Sequence, residues 1–292
     1  MKPWLWLPPK IAHDFAPWAM PLISGLWAVE TPVYKEKQWR TLQFKNPVGI
    51  AGGVDKNGST SLHWQGLGAG FLEIGTVTPK AQRANSGTIM NRNLAYKALW
   101  NKMGFPNRGA NALAKKLRLL HPKIKVPLFI NIGKNRTTDN TKAHEDYSKC
   151  MEILAPWADA FVVNISSPNT QDLRALQSKD HLVSFLTPLL DFKLRNNITQ
   201  PLLIKLSPDM KVDDLYQVLD TTLDLKIDGW ILTNTTTDRH PAVEFPKDGG
   251  MSGAPLASLS KSNLQSALKY LGDRKKDQLW GAAGGSMSGD DI

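Results

Sequence analysis

A chain of 292 residues with 41% hydrophobic content is long enough for one large α/β domain with a sizeable core. Its single cysteine, Cys150, excludes a disulfide framework and a cysteine-ligated metal cluster, and its six histidines show no metal-ligand spacing. The net charge of +10 favours anionic partners, but apart from Arg274-Lys275-Lys276, which reads as a solvated helix end, the cations are scattered, which argues against nucleic acid.

The first forty residues differ from the rest. They hold five of the ten tryptophans, Trp4, Trp6, Trp18, Trp27 and Trp39, and no charge occurs from Phe15 to Val29. A membrane span needs about 20 apolar residues, and this stretch is shorter and broken by Pro17, Pro21 and Gly25. It has no small-residue cleavage site, so it does not read as a signal peptide. Tryptophans and leucines flanked by Lys2, Lys10, Lys35 and Lys37 suit a helical segment (residues 1–40) lying in a membrane interface; a pair of short helices packed on the main domain is the alternative.

From residue 41 to 292, short apolar runs recur, most ending in small polar residues. They are Pro47–Ala51, Phe71–Ile74, Pro127–Ile130, Phe161–Val163, Pro201–Ile204, Gly229–Leu232 and Gln278–Trp280. Helical spacing fills the gaps most clearly at Leu173–Leu194, where Pro188 predicts a kink or split, at Val212–Leu225, and at Leu256–Leu271 with Ser258 and Ser260 as candidate caps and Gly272 as the stop. Strands that alternate with helices and are apolar on consecutive residues predict a parallel sheet buried on both faces. Polar residues gathered at the carboxyl ends favour a (β/α)8 TIM-type barrel. A doubly wound sheet is the rival, but no G-x-G-x-x-G follows the first strand. Seven strand-helix steps are legible. Ser288-Gly289-Asp290-Asp291 resembles the start of a further helix, so an eighth strand is expected to be missing.

The candidate chemistry sits at the strand ends. Asn164-Ile165-Ser166-Ser167-Pro168-Asn169-Thr170 gathers amides and hydroxyls without charge, which suits a planar polar ligand, although these are also ordinary turn residues. Lys205 follows four apolar residues, and a buried lysine calls for an anion; Lys56 lies among glycines and could equally sit in an exposed loop. Gly52-Gly53, Gly249–Gly253 and Gly284-Gly285 could cradle a phosphate. Asn101-Lys102-Met103-Gly104-Phe105-Pro106-Asn107 could be a plain loop or could close over a ligand.

Together these runs resemble the dihydroorotate dehydrogenases, in their quinone-dependent, membrane-associated class. The matching pieces include Asn46–Gly58, Gly75-Thr76-Val77-Thr78-Pro79, Asn101–Asn107, Asn131–Asn135, Asn164–Thr170, Lys205–Asp209, Thr233–Thr236 and Gly249–Gly253, with Leu7–Asp14 similar to the start of the class's N-terminal helical segment. The resemblance implies a barrel that binds FMN, oxidises dihydroorotate to orotate in pyrimidine synthesis, and passes electrons to a quinone at the cytoplasmic face of the membrane as a peripheral protein. It implies Ser167 as the base at C5, with Thr170 as a relay, and Lys56 between flavin and substrate carboxylate. Asn101, Asn164, Asn169 and Asn234, with Thr235, would hold the pyrimidine, and Lys102, Met103, Gly104 and Phe105 would join the substrate site. Lys205 would stand by the flavin N1–O2 edge; Gly52, Gly53, Thr76, Asn131, Asn164 and Thr233 would contact FMN, with Gly253 and Gly285 at its phosphate. The chain departs from the family at Gln171-Asp172, where Pro-Gly is usual, at Ala81–Asn85, at Lys102 where arginine is common, and in the expected loss of the last βα unit. A tRNA dihydrouridine synthase would need a cysteine at a strand end, which is lacking, and a non-catalytic relic would fail to retain FMN.

Overall fold

The structure, a computed structural model, describes residues 6–288. Lys2, Trp4, Gly289, Asp290 and Asp291 therefore lie outside the described residues, and with them the expected acidic helix start. Helix α1 spans Pro9–Leu26 as one helix rather than a pair, although Pro17 and Pro21 lie within it. A hairpin of β1 (Lys37–Trp39) and β2 (Leu42–Phe44) follows. Next come β3 (Gly49–Asp55), α2 (Ser61–Gly66), β4 (Phe71–Val77), β5 (Met90–Asn93), β6 (Ala98–Asn101) and α3 (Ala110–Leu120). The order continues with β7 (Leu128–Ile132), α4 (Ala143–Leu154), β8 (Ala160–Asn164), α5 (Lys179–Arg195), β9 (Leu202–Leu206) and α6 (Val212–Asp224). It ends with β10 (Gly229–Leu232), β11 (Gly250–Gly253), α7 (Ala257–Leu271) and β12 (Leu279–Ala282).

Seven strands form one parallel sheet in the order β12-β10-β9-β8-β7-β4-β3, with helices packed outside it. This is a TIM-type α/β barrel with seven parallel strands among the described residues; β3 and β12 are its two edges. Every run expected to be a strand of the parallel sheet is one, with ends shifted by at most four residues.

Side-chain alternation explains both faces of the sheet. Leu72 and Ile74, Leu128, Ile130 and Ile132, Phe161 and Val163, and Leu202, Ile204 and Leu206 join the core under the helices. The residues between them point into the barrel. Near its amino-terminal end Phe129, Ala160, Val162, Leu203 and Ile231 form a second apolar core. One layer nearer the carboxyl ends the inward positions turn polar, with Glu73, Asn131, Asn164 and Lys205 all buried.

The β1–β2 hairpin closes the amino-terminal end. Trp39, Leu42 and Phe44 belong to the inner core, and Trp39 Nε1 donates to the Asp277 carbonyl at 3.0 Å. Trp39 is thus a floor residue of the barrel and not part of an interfacial segment, and the hairpin straddles the boundary expected at residue 40. A second sheet, β11-β6-β5, is antiparallel and stands apart from the main one; Gly249–Gly253, expected as a turn, supplies its β11 edge. Pro188 does not split α5, which runs through it. Leu182, Phe185, Leu186 and Leu189 bury on both sides of it, and the break falls earlier, between a 3-10 turn at Leu173–Gln177 and the helix start at Lys179. Ser258 and Ser260 do not cap α7, which begins one residue before Ser258; Ser260 Oγ instead donates to the Ala283 carbonyl at 3.3 Å.

Trp39 is 6% exposed and Trp18 is 80% exposed, so the two should respond oppositely to truncation. Trp39→Ala is expected to cost about 3–5 kcal/mol in urea unfolding, and Trp18→Ala close to nothing.

Candidate functional site

One cavity of about 520 Å³ opens at the carboxyl ends of the strands, within the size range of a small-molecule site. It brings together Lys56, Ser167 and Lys205. Of the other residues expected at the site, Gly52, Gly53, Thr76, Asn164 and Thr233 line it, as do Asn101, Met103, Gly104, Phe105, Asn169, Asn234 and Thr235. Four do not. Asn131 lies directly beneath the lining, where its Oδ1 accepts from Thr76 Oγ1 at 2.5 Å. Lys102 turns away to pair with Asp248 at 2.5 Å. Gly253 and Gly285 are set back one residue from Ser252 and Gly284, which line the cavity.

The floor is a single hydrogen-bonded network. Glu73 Oε1 accepts from Asn131 Nδ2 at 2.5 Å and from Lys205 Nζ at 3.3 Å. Asn131 Oδ1 also accepts from Asn164 Nδ2 at 3.2 Å, and Asn164 Oδ1 accepts from the Ser166 N–H at 3.3 Å and Ser166 Oγ at 3.2 Å. Asn234 Nδ2 then donates to Ser166 Oγ at 3.0 Å. Glu73 is the anion that buried Lys205 requires, and it did not stand out as a site residue in the sequence. Its signal was a lone acid inside the otherwise apolar run Phe71–Ile74. Gly52 is obligatory above it, because a Cβ there would run into the Glu73 carboxylate.

The Ser167 loop leaves acceptors free. Ser167 is buried, and its Oγ accepts from the Asn169 N–H at 3.2 Å. Asn169 Nδ2 donates to Asn101 Oδ1 at 3.0 Å, while Asn169 Oδ1 and Thr170 Oγ1 are buried without a protein partner. Orphaned buried polar atoms are costly, so both suit a ligand or water. Lys56 Nζ donates to the Gly53 carbonyl at 2.6 Å and lies 3.5 Å from His13 Nε2 of α1. Burial lowers the Lys56 pKa to about 8, against the pull of Asp55 and Asp14. Burial, with Lys56 adding to it, lowers that of His13 to about 4, so the contact is between a cation and a neutral ring at pH 7. Asp55 fixes the Lys56 backbone by accepting from the Ser59 and Thr60 N–H groups and from Ser61 Oγ, each at 2.8 Å, at the start of α2.

The family model described as dihydroorotate dehydrogenase matches residues 35–292. The chain is 36% identical over 285 residues to the dihydroorotate dehydrogenase (quinone) of Coxiella burnetii (strain Dugway 5J108-111), covering 94% of this chain and 82% of that protein. It belongs to the dihydroorotate dehydrogenase family. The protein of the same description from Acinetobacter baylyi is 40% identical over 240 residues, covering 80% of this chain and 71% of that one. A crystal structure of DHODH from Eimeria tenella in complex with ferulenol superposes with a TM-score of 0.86 at 29% identity, covering 98% of this chain and 82% of the other. The family is one of oxidoreductases, and neither the RNA-modifying alternative nor the relic is favoured by these likenesses.

Breaking a buried ion pair from one side leaves an uncompensated charge, at a cost of about 3–5 kcal/mol. Glu73→Leu should lose that much in urea unfolding, and the double variant with Lys205→Met should recover much of the loss.

Proposed function

We propose that this chain oxidises dihydroorotate to orotate, with FMN as resident cofactor and a quinone as electron acceptor, in pyrimidine synthesis. The observation that carries the reading is the convergence of Lys56, Ser167 and Lys205 on one cavity. The residues present fit FMN. At one end Ser252, Leu256, Ala283 and Gly284 meet at the amino terminus of α7, whose first turn has no acidic residue. That is the chemistry of a phosphate site. Gly285 supports it from behind, at φ +83°, where a side chain would strike the Ala257 backbone. The polar floor suits the edge of a flavin, with Thr76, Asn164, Lys205 and Thr233 facing the cavity and Asn131 supporting them from below.

Bound there, FMN would supply an acceptor for the hydride that leaves C6 of dihydroorotate. Ser167 Oγ takes the proton from C5. The hydrogen bond that Ser167 Oγ accepts from the Asn169 N–H favours its developing negative charge, and Thr170 Oγ1, buried with no protein partner, would pass the proton on. Asn101, Asn164, Asn169 and Asn234 offer the donors and acceptors that the pyrimidine edge demands, and the unpaired Asn169 Oδ1 can accept from a ring N–H. Lys56 meets the substrate carboxylate. Lys205, held by Glu73, brings positive charge to the floor, where negative charge grows on reduction.

The acceptor would enter along α1. His13, Ala16, Pro17 and Met20 line the cavity together with Val54 and Trp64. On the outer side of the helix, Ile11, Phe15, Trp18, Leu22 and Leu26 are exposed at helical spacing, with Trp6 and Trp27 exposed beside its ends. Such a stripe suits a helix lying in a bilayer interface. No helix among the described residues is long and apolar enough to cross a membrane. We place the protein at the cytoplasmic face of the cell membrane as a peripheral protein.

Two experiments test these roles. Anaerobic addition of dihydroorotate should bleach the yellow protein; Ser167→Ala should keep the flavin colour and bleach at least about a hundredfold more slowly, and bleaching at full rate would remove Ser167 from the base role. Changing Phe15, Trp18 and Leu22 together to Ser should abolish sedimentation with vesicles and impair reduction of a long-tailed quinone, while reduction of a soluble dye continues. Undiminished vesicle binding would refute the interfacial role of α1.

A further inference from the structure

Arg174 follows Ser167 by seven residues and lies on the 3-10 turn Leu173–Gln177. It does not line the cavity, yet its guanidinium joins three strand-end loops at once. Nε donates to the Ser166 carbonyl at 2.9 Å, Nη1 to Asp209 Oδ2 at 2.6 Å, and Nη2 to the Thr235 carbonyl at 2.8 Å. The first acceptor is the residue beside Ser167, and the third is the residue after Asn234. Both the group proposed to take the proton and a group proposed to hold the ring are thus indexed to one planar cation.

Asp209 fixes that cation in turn. Besides Arg174 it accepts from Thr236 Oγ1, from the Thr237 N–H at 2.7 Å and from Thr237 Oγ1 at 2.8 Å. Arg174 and Asp209 are 22% and 14% exposed, so water competes weakly for either. A guanidinium has donors in a rigid fork and reaches three fixed acceptors together; a lysine ammonium on a flexible stem does not reproduce that spacing.

We infer that Arg174 is a positioning residue that holds the Ser166-Ser167 loop and the Asn234-Thr235 loop in one register, so that proton abstraction from the bound substrate depends on it. The inference rests on the dehydrogenase reading above. It concerns the reductive half-reaction alone, since Arg174 bonds to no residue of the α1 wall and to neither Glu73 nor Lys205.

The test is stopped-flow spectroscopy on the FMN-loaded full-length protein, following each half-reaction separately. Misplacing reacting groups by about 1 Å costs about a hundredfold, so Arg174→Ala should slow bleaching by dihydroorotate by about that factor. The isotope effect from deuterium at C5 should grow, because proton removal becomes more limiting. FMN content and reoxidation of the reduced flavin by quinone should match the parent. Arg174→Lys and Asp209→Asn, milder in case the alanine variant folds poorly, should show the same asymmetry to a smaller extent. Variants that bleach at the parental rate, or that lose FMN and both half-reactions in parallel, would overturn the inference while leaving the dehydrogenase reading intact. A parent protein that binds FMN but is not bleached by dihydroorotate would overturn that reading and this inference with it.

Discussion

A lysine and a glutamate share the interior of this barrel where neither can reach water, and the placement of the polar groups above follows from that pair. Lys205 and Glu73 come from β9 and β4, which are not neighbours in the sheet; β7 and β8 lie between them. The pair spans the barrel interior, and Asn131 on β7 and Asn164 on β8 fill the space between with hydrogen bonds. Carbon-only side chains at these four positions would give a continuous apolar core. The ion pair and its amides turn that core into a polar platform one layer below the cavity, and a buried network of this kind tolerates few rearrangements.

The platform also explains how unlike loops come to cooperate. Asn164 is the last residue of β8, so the Ser166-Ser167 turn starts from a side chain already fixed by the floor. Asn234 reaches the same turn from the next loop but one through Ser166 Oγ, and Arg174 fastens both from the outside. Binding residues carried by mobile loops would have to be ordered by the ligand; here the order is built in by bonds to the strands.

Much of this was legible in the sequence because consecutive apolar residues and polar strand ends are strong signals. All seven parallel strands and α6 follow directly from them, and Lys205 after Leu202-Leu203-Ile204 declared its burial. Other features were hidden for identifiable reasons. Glu73 looked like an interruption of a strand, and only the period-2 register across four strands shows it facing Lys205. The β11-β6-β5 sheet pairs Gly250–Gly253 with residues about 150 positions earlier, and glycine-rich composition points to a turn when the partner is unknown. Trp39 resembled its exposed neighbours in composition, and its role is set by a floor that only the closed sheet creates. At Pro188 the split that proline favours is absent, and the helix buries residues on both sides of it.

Helix α1 has a consequence beyond its place in the fold. Its outer face is a bare apolar stripe, and its inner face carries His13 to within 3.5 Å of Lys56. One wall of the cavity is therefore on loan from an element whose other side is apolar and exposed. Anything that seats against that outer stripe bears on the cavity as well, because a shift of the helix would carry His13, Ala16, Pro17 and Met20, which line it, along with it.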